Sequence, residues 1–151
     1  MTFRIGIISD SHGLLRPEAE GFLTGADHIV HAGDIGRPEI VDALRGIAPV
    51  TAVRGNVDTG DWAKEYAETE LVKLAGKAIH VLHDLKTLSV DACAGIDIII
   101  SGHSHLAKIE TMCDILYLNP GSAAPRRFRL PITLATLDIG SDGMHPEVHV
   151  L

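Results

Sequence analysis

Five short segments carry residue types that can hold metal ions or move protons: Asp10-Ser11-His12, Gly33-Asp34, Gly55-Asn56-Val57-Asp58, His83-Asp84 and Gly102-His103-Ser104-His105. Each taken alone has an ordinary reading as a turn, a cap or a surface histidine. Their interest lies in joint occurrence and spacing. Asp10 and His12 are two apart, as are His103 and His105, and residues so spaced can project to one side of an extended segment. Glycine precedes Asp34, Asn56 and His103. It accepts positive φ and lets backbone approach closely, which suits tight turns around a metal. Asp10, His12, Asp34, Asn56, His83, His103 and His105 are thus candidate ligands. A single zinc takes about four ligands. The set is too large for one ion and suits two that share a carboxylate and keep positions open for water and substrate. Imidazoles with a few carboxylates favour Mn, Fe, Co, Ni or Zn over Ca or Mg.

The elements that must position these residues can be read from periodicity. Residues 3–9 form an apolar, β-branched run that reads as a buried strand ending at Asp10. Residues 17–23 and 38–45 read as helices with proline in the first turn, and residues 28–31 and 50–53 as short strands. Repeated strand, loop and helix implies parallel strands with helices packed on the sheet. Further on, residues 70–74 and 77–82 flank Ala75-Gly76 and predict a hairpin. Residues 85–93 read as a helix, Trp62 and Tyr66 fall in a short helix, and residues 97–100 read as a strand. Residues 108–112, 115–118, 133–138 and 147–151 read as a run of mostly antiparallel strands. The expected fold class is α/β, with two facing mixed β-sheets flanked by helices in a single domain spanning residues 1–151. Four of the five segments directly follow a predicted strand, and His83 ends another. Loops at the carboxyl ends of parallel strands converge on one crevice.

Composition narrows the function classes. Hydrophobic residues make up 46% of the chain and aromatics only 4%, so the core must be built mainly from Ile, Val, Leu and Ala. The net charge of −7 disfavours non-specific nucleic-acid binding, which depends on neutralising phosphates. No apolar run approaches the roughly 20 residues that span a bilayer. The amino-terminal apolar run is short and Asp10 follows at once, so no secretory leader is expected and the reading is cytoplasmic. Cys93 and Cys113 read as two reduced, buried thiols.

The order of the five segments resembles the calcineurin-like metallophosphoesterases, in particular their small bacterial and archaeal phosphodiesterase branch. Asn119-Pro120-Gly121-Ser122 also matches a segment common there. The resemblance implies an αββα sandwich and a dinuclear site. Asp10, His12 and His105 would hold the first metal, and Asn56, His83 and His103 the second, with Asp34 bridging. Asp34, Asn56 and His103 would be the catalytic core, manganese the first candidate metal, and a metal-bridging hydroxide the nucleophile. Two departures stand out. The family's phosphatases have a catalytic His after Gly-Asn, where this chain has Val57. Its His-Gly-His segment is here His83-Asp84-Leu85. Valine cannot donate a proton, which favours diesters with good leaving groups over monoesters.

Arg54 and Arg126 are candidate substrate-binding residues, because guanidinium forks match phosphate oxygens. His28, His31, His80, His145 and His149 have no motif around them and read as structural or surface residues. Trp62 and Tyr66 read as packing residues, and an exposed apolar patch there would support a homodimer. The expected partner is a small phosphate ester, with neither nucleic acid nor membrane. The competing functions are a non-catalytic protein-interaction scaffold of the same fold and a metal-dependent nuclease.

Overall fold

A computed structural model describes residues 2–89, 93–124 and 130–151. Strand β1 (Phe3–Ile8) leads through α1 (Pro17–Leu23) to β2 (His28–His31), and α2 (Pro38–Arg45) leads to β3 (Val50–Ala52). A short 3-10 helix, Asp61–Glu65, precedes the hairpin β4 (Thr69–Leu74) and β5 (Lys77–Leu82). Then follow β6 (Ile98–Ile100), β7 (Lys108–Met112), β8 (Ile115–Asn119), β9 (Thr133–Gly140) and β10 (Gly143–Val150). Two five-stranded sheets result, ordered β10-β9-β1-β2-β3 and β4-β5-β6-β8-β7.

Both sheets are mixed. Strands β1, β2 and β3 run parallel, and so do β5, β6 and β8. The edge pairings β9–β10, β4–β5 and β7–β8 are antiparallel. The hairpin turns are short and chemically apt. Ala75 and Gly76 both have positive φ (51° and 79°), as do Cys113 and Asp114 (51° and 64°), which is the primed-turn geometry that matches strand twist.

The sandwich interior is aliphatic, as the composition requires. Ile5, Ile7, Val30, Ala135 and Leu137 of the first sheet meet Ile79, Val81, Ile98, Ile100, Leu116 and Leu118 of the second. A second cluster packs α1 and α2, through Leu23, Ile40, Val41 and Leu44, onto the outer face of the first sheet at Ile8, Ile29 and Leu134. Gly6 permits this, since a Cβ there would collide with Leu23 of α1.

Three expectations need correction. Residues 85–93 do not begin as an α-helix. Leu85–Thr87 is a single 3-10 turn, closed by the Lys86 N–H donating to the Asp84 carboxylate at 3.0 Å. Strand β10 starts at Gly143 rather than 147, because an edge strand tolerates Pro146. The cysteines are not both buried: Cys93 is half-buried and Cys113 is exposed in the β7–β8 turn. As expected of packing residues, Trp62 and Tyr66 meet edge-to-face and join the second cluster. No helix among the described residues is long and apolar enough to cross a membrane.

Leu137 of β9 is fully buried in the interior between the two sheets. Leu137→Ala should lower unfolding free energy by about 3 kcal/mol, read from the urea midpoint at unchanged slope.

Candidate metal centre

All six parallel strands end at the same rim, and each is followed by a polar residue: Asp10 after β1, Asp34 after β2, Asn56 after β3, His83 after β5, His103 after β6 and Asn119 closing β8. The structure brings the seven sequence-picked ligand candidates together there. Asp10, His12 and His105 form one group whose ligand atoms all lie within 4.8 Å of one another, and Asp34, His83 and His103 form a second. His105 Nε2 is 3.4 Å from Asp10 Oδ1, and His12 Nε2 is 3.8 Å from it. Asp34 Oδ2 lies between the groups, 3.2 Å from His83 Nε2 and 3.5 Å from His12 Nε2. Asn56 joins through its Oδ1, 3.2 Å from His103 Nδ1.

The surroundings fix which atoms face the centre. Asp10 Oδ2 accepts from the Ser9 hydroxyl at 2.7 Å and from the His103 N–H at 3.1 Å. Its Oδ1 is buried with no hydrogen-bond partner, facing imidazole nitrogens. A buried carboxylate oxygen left in this state is costly, and a divalent cation would satisfy it. The donor set, imidazole nitrogen with carboxylate and amide oxygen, fits a transition metal. Asp34 Oδ1 takes the Val57 N–H at 3.1 Å, which leaves Oδ2 for the centre. His83 Nδ1 donates to the Ala32 carbonyl at 2.8 Å, so Nε2 presents its lone pair inward.

Electrostatics follow from this packing. Burial raises the Asp34 carboxyl, but the His83 hydrogen bond and charge, the Val57 N–H and His12 outweigh it and hold the group at about 2. His12 is raised, chiefly by the neighbouring Asp10 carboxylate. His83 is penalised by burial yet raised on balance by Asp34 and Asp10.

Backbone conformation at the site is unusual. Asp10, His12, Asp34, His103 and His105 all have positive φ, between 46° and 71°. Left-handed backbone costs an L-residue about 1–2 kcal/mol. The glycines before the ligands serve chiefly another purpose. Only Gly33 uses positive φ (101°), and there a Cβ would lie 2.6 Å from His83 Nδ1. At Gly55 a Cβ would collide with Asp34, and at Gly102 it would meet Ser9 and lie 2.7 Å from Asp10 Oδ2. Each glycine lets one ligand loop lie against the ligand of another.

Sequence reasoning passed over four positioning residues. Asp58 is buried and ties two ligand loops together, accepting from the N–H groups of Ile35 (3.0 Å), Gly36 (2.9 Å) and Gly55 (2.8 Å). Ser9 orients Asp10. The Asn119 amide donates to the Gly102 carbonyl at 3.0 Å and Ser104 Oγ at 3.1 Å. His31 accepts the Gly33 N–H on Nδ1 (3.1 Å) and so donates from Nε2 to Ser11 Oγ (2.8 Å), whose own proton goes to the Ile35 carbonyl. Asp58 and Asn119 had a sequence signal, in Gly-Asn-Val-Asp and Asn-Pro-Gly-Ser. Of the substrate-binding candidates, Arg54 directs its guanidinium to the Tyr66 carbonyl (3.1 Å) and Glu68 (3.4 Å). Arg126 lies outside the described residues.

Comparison with known proteins decides the family. Residues 3–142 match the calcineurin-like phosphoesterase superfamily domain. The chain belongs to that superfamily. A "probable metallophosphoesterase" of Methanocaldococcus jannaschii is 38% identical over 131 residues, covering 80% of this chain and 68% of the relative. A second, from Methanothermobacter thermautotrophicus, is 31% identical over 160 residues, covering 95% and 90%. Among solved structures, a novel archaeal phosphodiesterase superposes with a TM-score of 0.83 at 21% identity, covering 99% of this chain and 100% of that one. Vps29 from Entamoeba histolytica complexed with zinc superposes at 0.72 and 22% identity, covering 98% and 99%. At such identities these two likenesses speak for the fold alone. The protein is thus a member of a metal-dependent phosphoesterase family, built as that family's two-sheet sandwich.

Gly102→Ala should fold but bind Mn²⁺ at least about tenfold more weakly, by calorimetry, because displacing Asp10 removes a ligand. His31, fully buried, is lowered from about 6.5 to about 4, chiefly by burial. Its contribution to stability is therefore complete above pH 6.5 and is lost as pH falls towards 4. In metal-free protein this group alone should account for about 3 kcal/mol of acid destabilisation. In His31→Asn, urea unfolding at pH 7 and pH 4.5 should show a smaller difference.

Proposed function

We propose that the protein is a phosphodiesterase using two divalent transition-metal ions, manganese first among them with zinc, iron, nickel or cobalt as alternatives. The supporting observation is the pair of adjoining ligand groups with the Asp34 carboxylate between them. When bound, such ions supply an activated water and neutralise charge developing on phosphate oxygens. The chain's own residues do the rest. Asp10, His12 and His105 would hold one ion, and His83, His103 and Asn56 the other, with Asp34 shared. Asn56 and His103 lie on the open side, Asn56 exposed and His103 half-buried, where a phosphate would enter.

The chain lacks a proton donor at Val57, which is 44% exposed and offers only its backbone N–H, already given to Asp34. Leaving groups that depart as stable anions suit such a site. This supports aryl or otherwise activated diesters over monoesters. The scaffold alternative draws on the Vps29 likeness, but nothing in a scaffold requires all seven ligand positions. The charge of −7 weighs against a nuclease.

With manganese added, the protein should hydrolyse an aryl phosphodiester at least about tenfold faster than the matching aryl monoester, and a chelator should abolish both. Asp34→Asn and His103→Ala should each lose about a hundredfold or more in kcat/KM. A scaffold would show substoichiometric metal by elemental analysis and no turnover.

A further inference from the structure

Four of the five ligand loops set an exposed aliphatic side chain close to a candidate ligand: Leu14 after His12, Val57 after Asn56, Leu85 after His83 and Leu106 after His105. All four stand in water, 47%, 44%, 41% and 51% exposed. A polar centre rimmed by uncovered aliphatic groups marks a surface that meets an apolar ligand.

Two of these residues, Leu85 and Leu106, line a cavity of about 530 Å³ that also contacts Met112, Tyr117 and His103. This lies within the range of small-molecule sites. The cavity lies on the outward face of β7 and β8, beside the 3-10 turn Leu85–Thr87. On that face Met112 pairs with Ile115, and Glu110 with Tyr117. His103 is common to the cavity and the candidate metal centre. Its Nδ1 is 3.3 Å from His83 Nε2, and the two rings meet edge-to-face. A phosphoryl group held at the centre would therefore have its organic arm at the cavity mouth.

We propose that this cavity seats an aromatic ester arm of the substrate, with Leu85, Leu106, Met112 and Tyr117 setting the preference. The inference rests on the phosphoesterase reading and narrows its substrate class. The apolar part of the lining suits a ring, while Asp84, Lys86, Lys108 and Glu110 supply charges of both signs around it. A thioether and a phenol ring offer polarisable surfaces suited to aromatic contact. Lys108 is neutralised by Glu110 at 3.1 Å, so it does not make the floor an anion site. The buried Asn119 amide is already committed, donating to Gly102 and Ser104 and accepting the Gly121 N–H at 2.9 Å. Little of the buried lining is left to hydrogen-bond a hydroxyl-rich arm.

Phenylphosphonate and methylphosphonate share a head group and differ only in the arm, so their affinities for manganese-loaded protein, by calorimetry, isolate the cavity. Wild type should bind the phenyl compound roughly tenfold more tightly, the scale expected for burying one ring. Met112→Asp and Leu85→Ser, both at exposed positions that folding tolerates, should cut that preference to about twofold or less. Methylphosphonate affinity should stay within about twofold. Equal affinities in wild type, or an undiminished preference in both variants, would overturn the proposal. If neither phosphonate binds protein that has taken up metal, the phosphoesterase reading itself fails, a result distinct from loss of the aromatic preference.

Discussion

Two carboxylates held out of water govern this structure. Asp10 is wholly buried and Asp34 nearly so. Among the described residues their charged neighbours are imidazoles, not lysine or arginine. Removing a carboxylate from water costs several kcal/mol unless positive charge and hydrogen bonds replace the lost solvation. Backbone N–H groups and the Ser9 hydroxyl satisfy the outward oxygens. The inward ones are left to groups whose charge depends on protonation or on a bound cation. Positive charge at the centre, from a protonated imidazole or a bound cation, would offset that cost.

The same demand explains the backbone. Five ligand residues adopt left-handed φ, and three glycines exist to let ligand loops touch. Such strain persists only where the surroundings over-determine it. Here the support comes from the aliphatic interior below the rim and from Asp58, His31 and Asn119, which lace neighbouring loops together. The lace is made largely of side-chain acceptors for backbone N–H groups, so the loops depend on one another more than on their own sequences.

The fold leaves function partly open, since likenesses of similar quality include a phosphodiesterase and Vps29. In this chain the candidate ligands are gathered at the rim and exposed aliphatic side chains stand beside them. Val57 and Leu85 carry no proton donor and leave aliphatic surface beside the site.

Periodicity alone placed most elements, because short β-branched runs bounded by Gly, Asp and Pro leave few alternatives. Helices α1 and α2 and strands β2, β5 and β7 coincide with the sequence reading to the residue. The ligand candidates were legible as well, since parallel strands must deliver the loops that follow them to one edge. Sequence could not show that Gly55 and Gly102 are demanded by contact rather than by φ, because the atoms they make room for lie in other loops. Nor could it show that Asp58, His31 and Asn119 brace the site, that residues 85–89 stop short of an α-helix, or that Tyr117 and Met112 are left facing a cavity. Those facts depend on which loop lies against which. Pairings between residues many positions apart arise only when the two sheets close on each other.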